Sequence, residues 1–164
     1  LDGLRVLPTE TARLLLLEVI AWITQGIYPP RRDGLARILT ALQAGKGGTL
    51  AGCRFVVRGT ALRVCREFNA VRDLRCPLGD LWDQRWRMTG PDIAGAEIRS
   101  LGFAGLALCE TWRSTGYPRE SLLASPSLWL GQDLIAAPQA GFGQKWQLKL
   151  TPRQEGFAAL LLSH

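Results

Sequence analysis

The chain has 164 residues, 47% of them hydrophobic and 21% charged, which is enough for one sizeable core or two small ones. Lys and Arg number 20 against 14 Asp and Glu, giving a formal net charge of +6, and arginine greatly outnumbers lysine. Four cysteines without a Cys-x-x-Cys pair, and a single histidine at the last position, argue against a zinc site and against any Ser-His or Cys-His catalytic arrangement.

The arginine excess has two readings, and composition leaves both open. A guanidinium offers a planar donor fork suited to phosphate, which raises a nucleic-acid partner; the same charge could do no more than keep a wet surface soluble. The thiols Cys53, Cys65, Cys76 and Cys109 are expected to be reduced, small apolar groups of a cytoplasmic protein, although Cys53 and Cys65 fall on facing strands and could approach. The chain opens Leu1-Asp2-Gly3, with no basic segment and apolar run, so no signal peptide is expected. Lacking an initiator methionine, it reads as a piece of a longer protein.

In chain order, Pro8-Thr9-Glu10 opens a helix whose apolar positions spread over a broad face and which stops near Gly26. Its apolar run over 14–23 is too short for a bilayer and is interrupted by Glu18. Tyr28-Pro29-Pro30 forces an extended linker. Leu35, Ile38, Leu39 and Leu42 then follow the i, i+3, i+4, i+7 rule, with Gly45 as the C-terminal cap. Arg31 and Arg32 stand at the start of this second helix, where the macrodipole disfavours cations unless a phosphate binds. Lys46-Gly47-Gly48-Thr49 is read as a flexible turn with a solvated lysine; it follows a helix instead of a strand and lacks the Ser or Thr that a P-loop places after its lysine.

Residues 53–57 and 61–66 are two β-prone runs around Arg58-Gly59-Thr60, a hairpin signature. Leu62, Val64 and the aliphatic base of Arg66 fall on one face, and Arg63 and Cys65 on the other. Arg54, Arg58, Arg63 and Arg66 therefore crowd a short ribbon. Residues 72–79 mix charge, proline and glycine like a linker, and a soft domain boundary is placed there. Residues 81–88 alternate as one strand, Trp82, Trp86 and Met88 inward, with Arg85 and Arg87 facing water or RNA. A strand over 97–101, a helix over 103–113 closed by Gly116, a short helix over 118–124, a hairpin of 128–130 with 134–137, and a strand over 146–150 follow. The apolar segment 157–162 is left as strand or helix. The expected fold is α+β: a helical pair and β-hairpin over 1–76, followed by a small mixed α+β domain over 77–164.

Two motif runs carry a resemblance. Gly45-Lys46 with Thr49-Leu50, Gly52, Arg54 and Arg66-Glu67-Phe68 form the first; Pro118-Arg119-Glu120, Ala124-Ser125-Pro126-Ser127-Leu128-Trp129 and Asp133-Leu134-Ile135-Ala136-Ala137-Pro138 form the second. Their order and spacing resemble the C-terminal, non-catalytic region of the bacterial tRNA(Ile)-lysidine synthases. The Ser-Gly-Gly-x-Asp-Ser loop of that family's ATP pyrophosphatase domain is absent from this sequence. The resemblance therefore places catalysis, with its ATP and magnesium, in an upstream domain, and implies that this part binds no cofactor and is inactive alone. In the family the upstream domain adenylates C2 of the wobble cytidine, and lysine displaces AMP.

The implied partners are isoleucine tRNA with a CAU anticodon and that upstream domain, with no membrane partner and a homodimer left open. The implied role here is to grip the tRNA. Arg31, Arg32, Lys46, Arg54, Arg58, Arg63 and Arg66 are the first candidates for RNA contact, followed by Arg113 and Arg119. The alternatives are a protein-interaction or structural module using Trp129 and Trp146 as a contact patch, and a small enzyme, for which Asp83 and Glu97 offer no spacing that requires a catalytic pair.

Overall fold

The computed structural model describes residues 2–26 and 30–151. The Tyr28-Pro29 part of the expected linker, the apolar segment 157–162 and His164 lie outside the described residues. After a short α1 (Asp2–Val6), Ala12, Leu16, Ile20 and Ile23 form one stripe of α2 (Thr9–Thr24) and are all buried. Helix α2 ends where Gln25 and Gly26 turn left-handed, with φ of 61° and 71°.

Helix α3 (Arg32–Gln43) buries Leu35, Ile38, Leu39 and Leu42, the four residues its spacing singles out. It closes with a Schellman motif on Gly45, φ 71°: the Gly45 amide donates to the Leu42 carbonyl at 2.9 Å and the Lys46 amide to the Ala41 carbonyl at 2.8 Å.

Three antiparallel strands follow: β1 (Gly48–Leu50), β2 (Cys53–Arg58) and β3 (Ala61–Arg66), in the order β1-β2-β3. The two-residue connection Gly59-Thr60 joins β2 to β3, Gly59 supplying φ 57°. Strand β1 takes in part of what reads as a flexible turn. The helices cover one face of the sheet, where Cys53 and Phe55 join the α2 and α3 stripes in a single core.

Close approach shapes this layer. A Cβ on Gly47 would stand 2.4 Å from the Phe55 carbonyl oxygen, a backbone atom that cannot swing aside. Gly47→Ala is expected to cost about 1–3 kcal/mol, seen as a lower urea midpoint at constant slope. An unchanged midpoint would mean that β1 is free to shift.

The chain forms two compact units, the first running to Arg66 and the second starting at Glu67. This boundary falls ten residues before the composition shift at 76/77. The intervening stretch forms α4 (Phe68–Val71) and β4 (Arg75–Pro77), and Val71 is fully buried in the core of the second unit. The expected linker thus contains an edge strand.

In the second unit β4, β6 (Glu97–Ser100), β7 (Pro126–Leu130) and β8 (Asp133–Ala136) make a four-stranded antiparallel sheet in the order β4-β6-β7-β8. Strands β5 (Trp86–Thr89) and β9 (Gln147–Leu150) pair separately. Of the two expected features that break up, the first is the strand over 81–88. Trp82 and Trp86 exchange backbone hydrogen bonds of 2.9 Å across a tight turn in which Asp83 and Gln84 have φ of 49° and 57°. The turn reverses the alternation, so Arg85 is buried, its guanidinium 5.3 Å from the Trp86 ring centre, instead of facing water.

The second is the helix over 103–113. It splits into α5 (Gly102–Leu108) and a 3-10 turn (Trp112–Thr115), with a break at buried Cys109. Helix α6 (Arg119–Leu123) follows Pro118 as expected. Trp129 and Trp146 are 8% and 7% exposed, so neither offers the contact patch that a protein-interaction module was expected to use. The buried Trp129 indole N–H donates to Ser127 Oγ at 2.8 Å, which in turn donates to the Arg99 carbonyl at 3.1 Å.

Candidate nucleic-acid interface

Alternation along β2 sends Cys53, Phe55 and Val57 toward the helices and Arg54, Val56 and Arg58 away from them. The register sets Arg54 opposite Cys65, Val56 opposite Arg63 and Arg58 opposite Ala61. Arg63 therefore sits diagonally between Arg54 and Arg58 on the outer face, each diagonal about 7–8 Å. All three arginines are exposed. Strand β1 adds Thr49 opposite Arg54, a hydroxyl that the sequence reading left in a turn.

None of the three strands contributes an acid to this face. The whole stretch 34–66 contains Arg37, Lys46, Arg54, Arg58, Arg63 and Arg66 and not one Asp or Glu, a signal plain in the sequence once the strands are known to be contiguous. A run of phosphates that meets these guanidiniums releases its own counterions. A sheet face also fixes the spacing of its side chains more tightly than a loop does.

The other candidates divide. Gly47 lies against Phe55 and the Cα of Val56, so Lys46, which is exposed, stands toward the Arg58 end of β2. Arg66 has the other parity: it pairs with Cys53, is half-buried, and donates from Nη1 to the Gly52 carbonyl at 3.1 Å. It braces the β1–β2 turn and does not join the arginine face.

Arg31 and Arg32 are exposed at the start of α3, about 18 Å along the helix from Lys46. Asp33 supplies a negative charge in the same first turn. Arg32 also acts on Glu10, whose carboxyl is held below its usual range first by hydrogen bonds from Arg13 and further by the Arg32 charge. In the second unit Arg113 lies 4.6 Å from the Trp112 ring centre and Arg119 5.1 Å from that of Phe103.

Among the described residues the thiols and acids group into no competing site. The four cysteines are thiols and not disulfides, and Cys53 and Cys65, expected to be able to approach, fall on opposite faces because they pair with Arg66 and Arg54 respectively. Burial pushes the Cys109 thiol up, and burial followed by the charges of Asp80 and Glu97 does the same for Cys76, so neither is an activated nucleophile. Glu97 is taken up by Arg99 at 2.8 Å, with Arg75 at 4.0 Å. Among the described residues no three His, Cys, Asp or Glu side chains group to hold a metal ion, and no helix is long and apolar enough to cross a membrane.

The loop over 46–49 is not a P-loop. Lys46-Gly47-Gly48-Thr49 runs into β1 instead of opening a helix, and Gly47 is pressed against the Phe55 carbonyl.

What the fold and its surface define is a two-unit α+β chain with an arginine-rich face on its first sheet. Over 162 residues the chain is 49% identical to the tRNA(Ile)-lysidine synthase of Ruegeria pomeroyi, a match that covers 99% of this chain and 39% of that protein. The match bears out the resemblance carried by the two motif runs. The chain spans about two fifths of the length of the curated relative it matches. No protein-family model matches it, and no solved structure does.

Proposed function

We propose that this chain is the non-catalytic, tRNA-gripping C-terminal part of a cytoplasmic tRNA(Ile)-lysidine synthase. The outer face of β1–β3 holds the phosphate backbone of isoleucine tRNA while a catalytic domain elsewhere in the longer protein uses ATP and magnesium to join lysine to C2 of the wobble cytidine. One observation carries this reading: Arg54, Arg58 and Arg63 converge on one face of a sheet whose three strands contain no acid. The 49% identity to a tRNA(Ile)-lysidine synthase supports it independently.

The grip works by position. Phosphate contacts fix register and orientation without reading sequence, so distributed arginines can hold a large substrate whose reacting base lies far from them. Such binding lowers the entropic cost of presenting the anticodon and takes no part in bond making. The chain alone is therefore inactive as a ligase.

Binding to unmodified isoleucine tRNA with a CAU anticodon, compared with methionine elongator tRNA across a salt titration, tests the proposal. Steeply salt-dependent binding is expected for both, because phosphate contacts dominate, and any preference reads as substrate choice by this part. Salt-independent or absent binding would sink the tRNA grip and leave a structural role.

A further inference from the structure

The second unit carries a surface that phosphate binding does not explain. Phe103, at the start of α5, is 56% exposed, an unusual placement for the side chain of a phenylalanine. Its ring meets Phe68 edge to face, with centroids 5.4 Å apart and planes at 83°, so the ring is held and does not drift. The Arg119 guanidinium lies over it at 5.1 Å.

Past the far end of α5 the arrangement repeats with Arg113 over half-buried Trp112, and Tyr117 nearby in the chain is 45% exposed. Among the described residues these pairs differ from the arginine–aromatic contacts of Arg99 and Arg85. Arg99 over Trp129 is tied to Glu97 and to the Gly131 carbonyl, and Arg85 is buried. Among the described residues neither the Arg113 nor the Arg119 guanidinium makes a hydrogen bond or an ion pair.

We infer that Phe103 with Arg119, and Trp112 with Arg113, are stacking platforms for unpaired RNA bases, so that the second unit binds a single-stranded RNA end. The inference rests on the proposed role in RNA binding and assigns a different chemistry to a different unit. A planar guanidinium stacked on a ring offers its outer face and its unused donors to a base and its phosphate, which is how single strands are held without base pairing. An apolar protein partner would have to desolvate both guanidiniums. Phe103 stands in the first turn of α5 and Trp112 in the 3-10 turn beyond the break at Cys109, so each platform takes its own base.

The test uses the 164-residue chain and two hairpin RNAs, one blunt and one with a short single-stranded 3′ extension containing 2-aminopurine. The extended hairpin is expected to bind about tenfold more tightly, with quenching of 2-aminopurine. Phe103→Ala removes that advantage and leaves blunt affinity unchanged, and Trp112→Ala reduces it. Arg54→Ala combined with Arg63→Ala weakens both RNAs equally and preserves the advantage. This separates the platforms from the sheet-face grip, whose own failure shows as blunt binding indifferent to the arginine changes. Equal affinity for the two hairpins, or an equal loss on both with Phe103→Ala, overturns the platforms. So does a Phe103-dependent dimer in sedimentation without quenching, which would mark the patch as a protein contact.

Discussion

Replacing Arg54, Arg58 and Arg63 together by alanine is expected to weaken tRNA binding about a hundredfold at 0.1 M salt and to flatten the plot of log K against log salt by about 2 to 3 units. Both numbers follow from one cause, because each lost phosphate contact removes about 0.7 to 0.9 of slope and, at this salt, the matching entropy of counterion release. The fold should survive, since all three side chains lie on the outer face and none lines the core. Arg66→Ala supplies the contrast. It frees the Gly52 carbonyl and is expected to lower stability more than it changes the salt slope.

The second large effect is on stability. Phe55 is fully buried, packed between the two helices and the sheet. Phe55→Ala is expected to cost about 3–5 kcal/mol. A unit of this size has only a small stability margin, so the change should leave the first unit largely unfolded at 37 °C and abolish the arginine face with it. Val56→Ala, one step along on the outer face, should cost at most about 1 kcal/mol. Comparable losses from the two would mean that the strand does not bury the face assigned here.

The contrast between Phe55 and Val56 also shows why the hairpin could be read from sequence. Period-2 alternation and a two-residue glycine turn are local signals, and local signals decided β2 and β3, the α3 stripe and the Gly45 cap. Three features had none. Strand β1 is three residues long and starts in a Gly-Gly run, so only its pairing with β2 defines it. The turn at Trp82–Trp86 uses Asp83 and Gln84 in the left-handed region, and without glycine or asparagine the chain gives no warning that the alternation reverses and buries Arg85. The break after α5 likewise comes at Cys109, with no proline and no glycine at that point.

The candidate site divides along the same line. Arg54, Arg58 and Arg63 are legible because strand parity places them on one face. Arg66 clusters with them in sequence, but its parity carries it to the other face, and closeness in the chain is not closeness on a surface. Lys46 depends on the close approach of Gly47 to Phe55, a contact between residues eight apart that periodicity does not encode.

Arginine-specific labelling with phenylglyoxal, with and without saturating isoleucine tRNA and read by peptide mass spectrometry, addresses the grip most directly. Strong protection is expected at Arg54, Arg58 and Arg63, with Arg5 and Arg13 labelled equally in both samples. Equal labelling of the three sheet arginines while tRNA is bound would contradict the account.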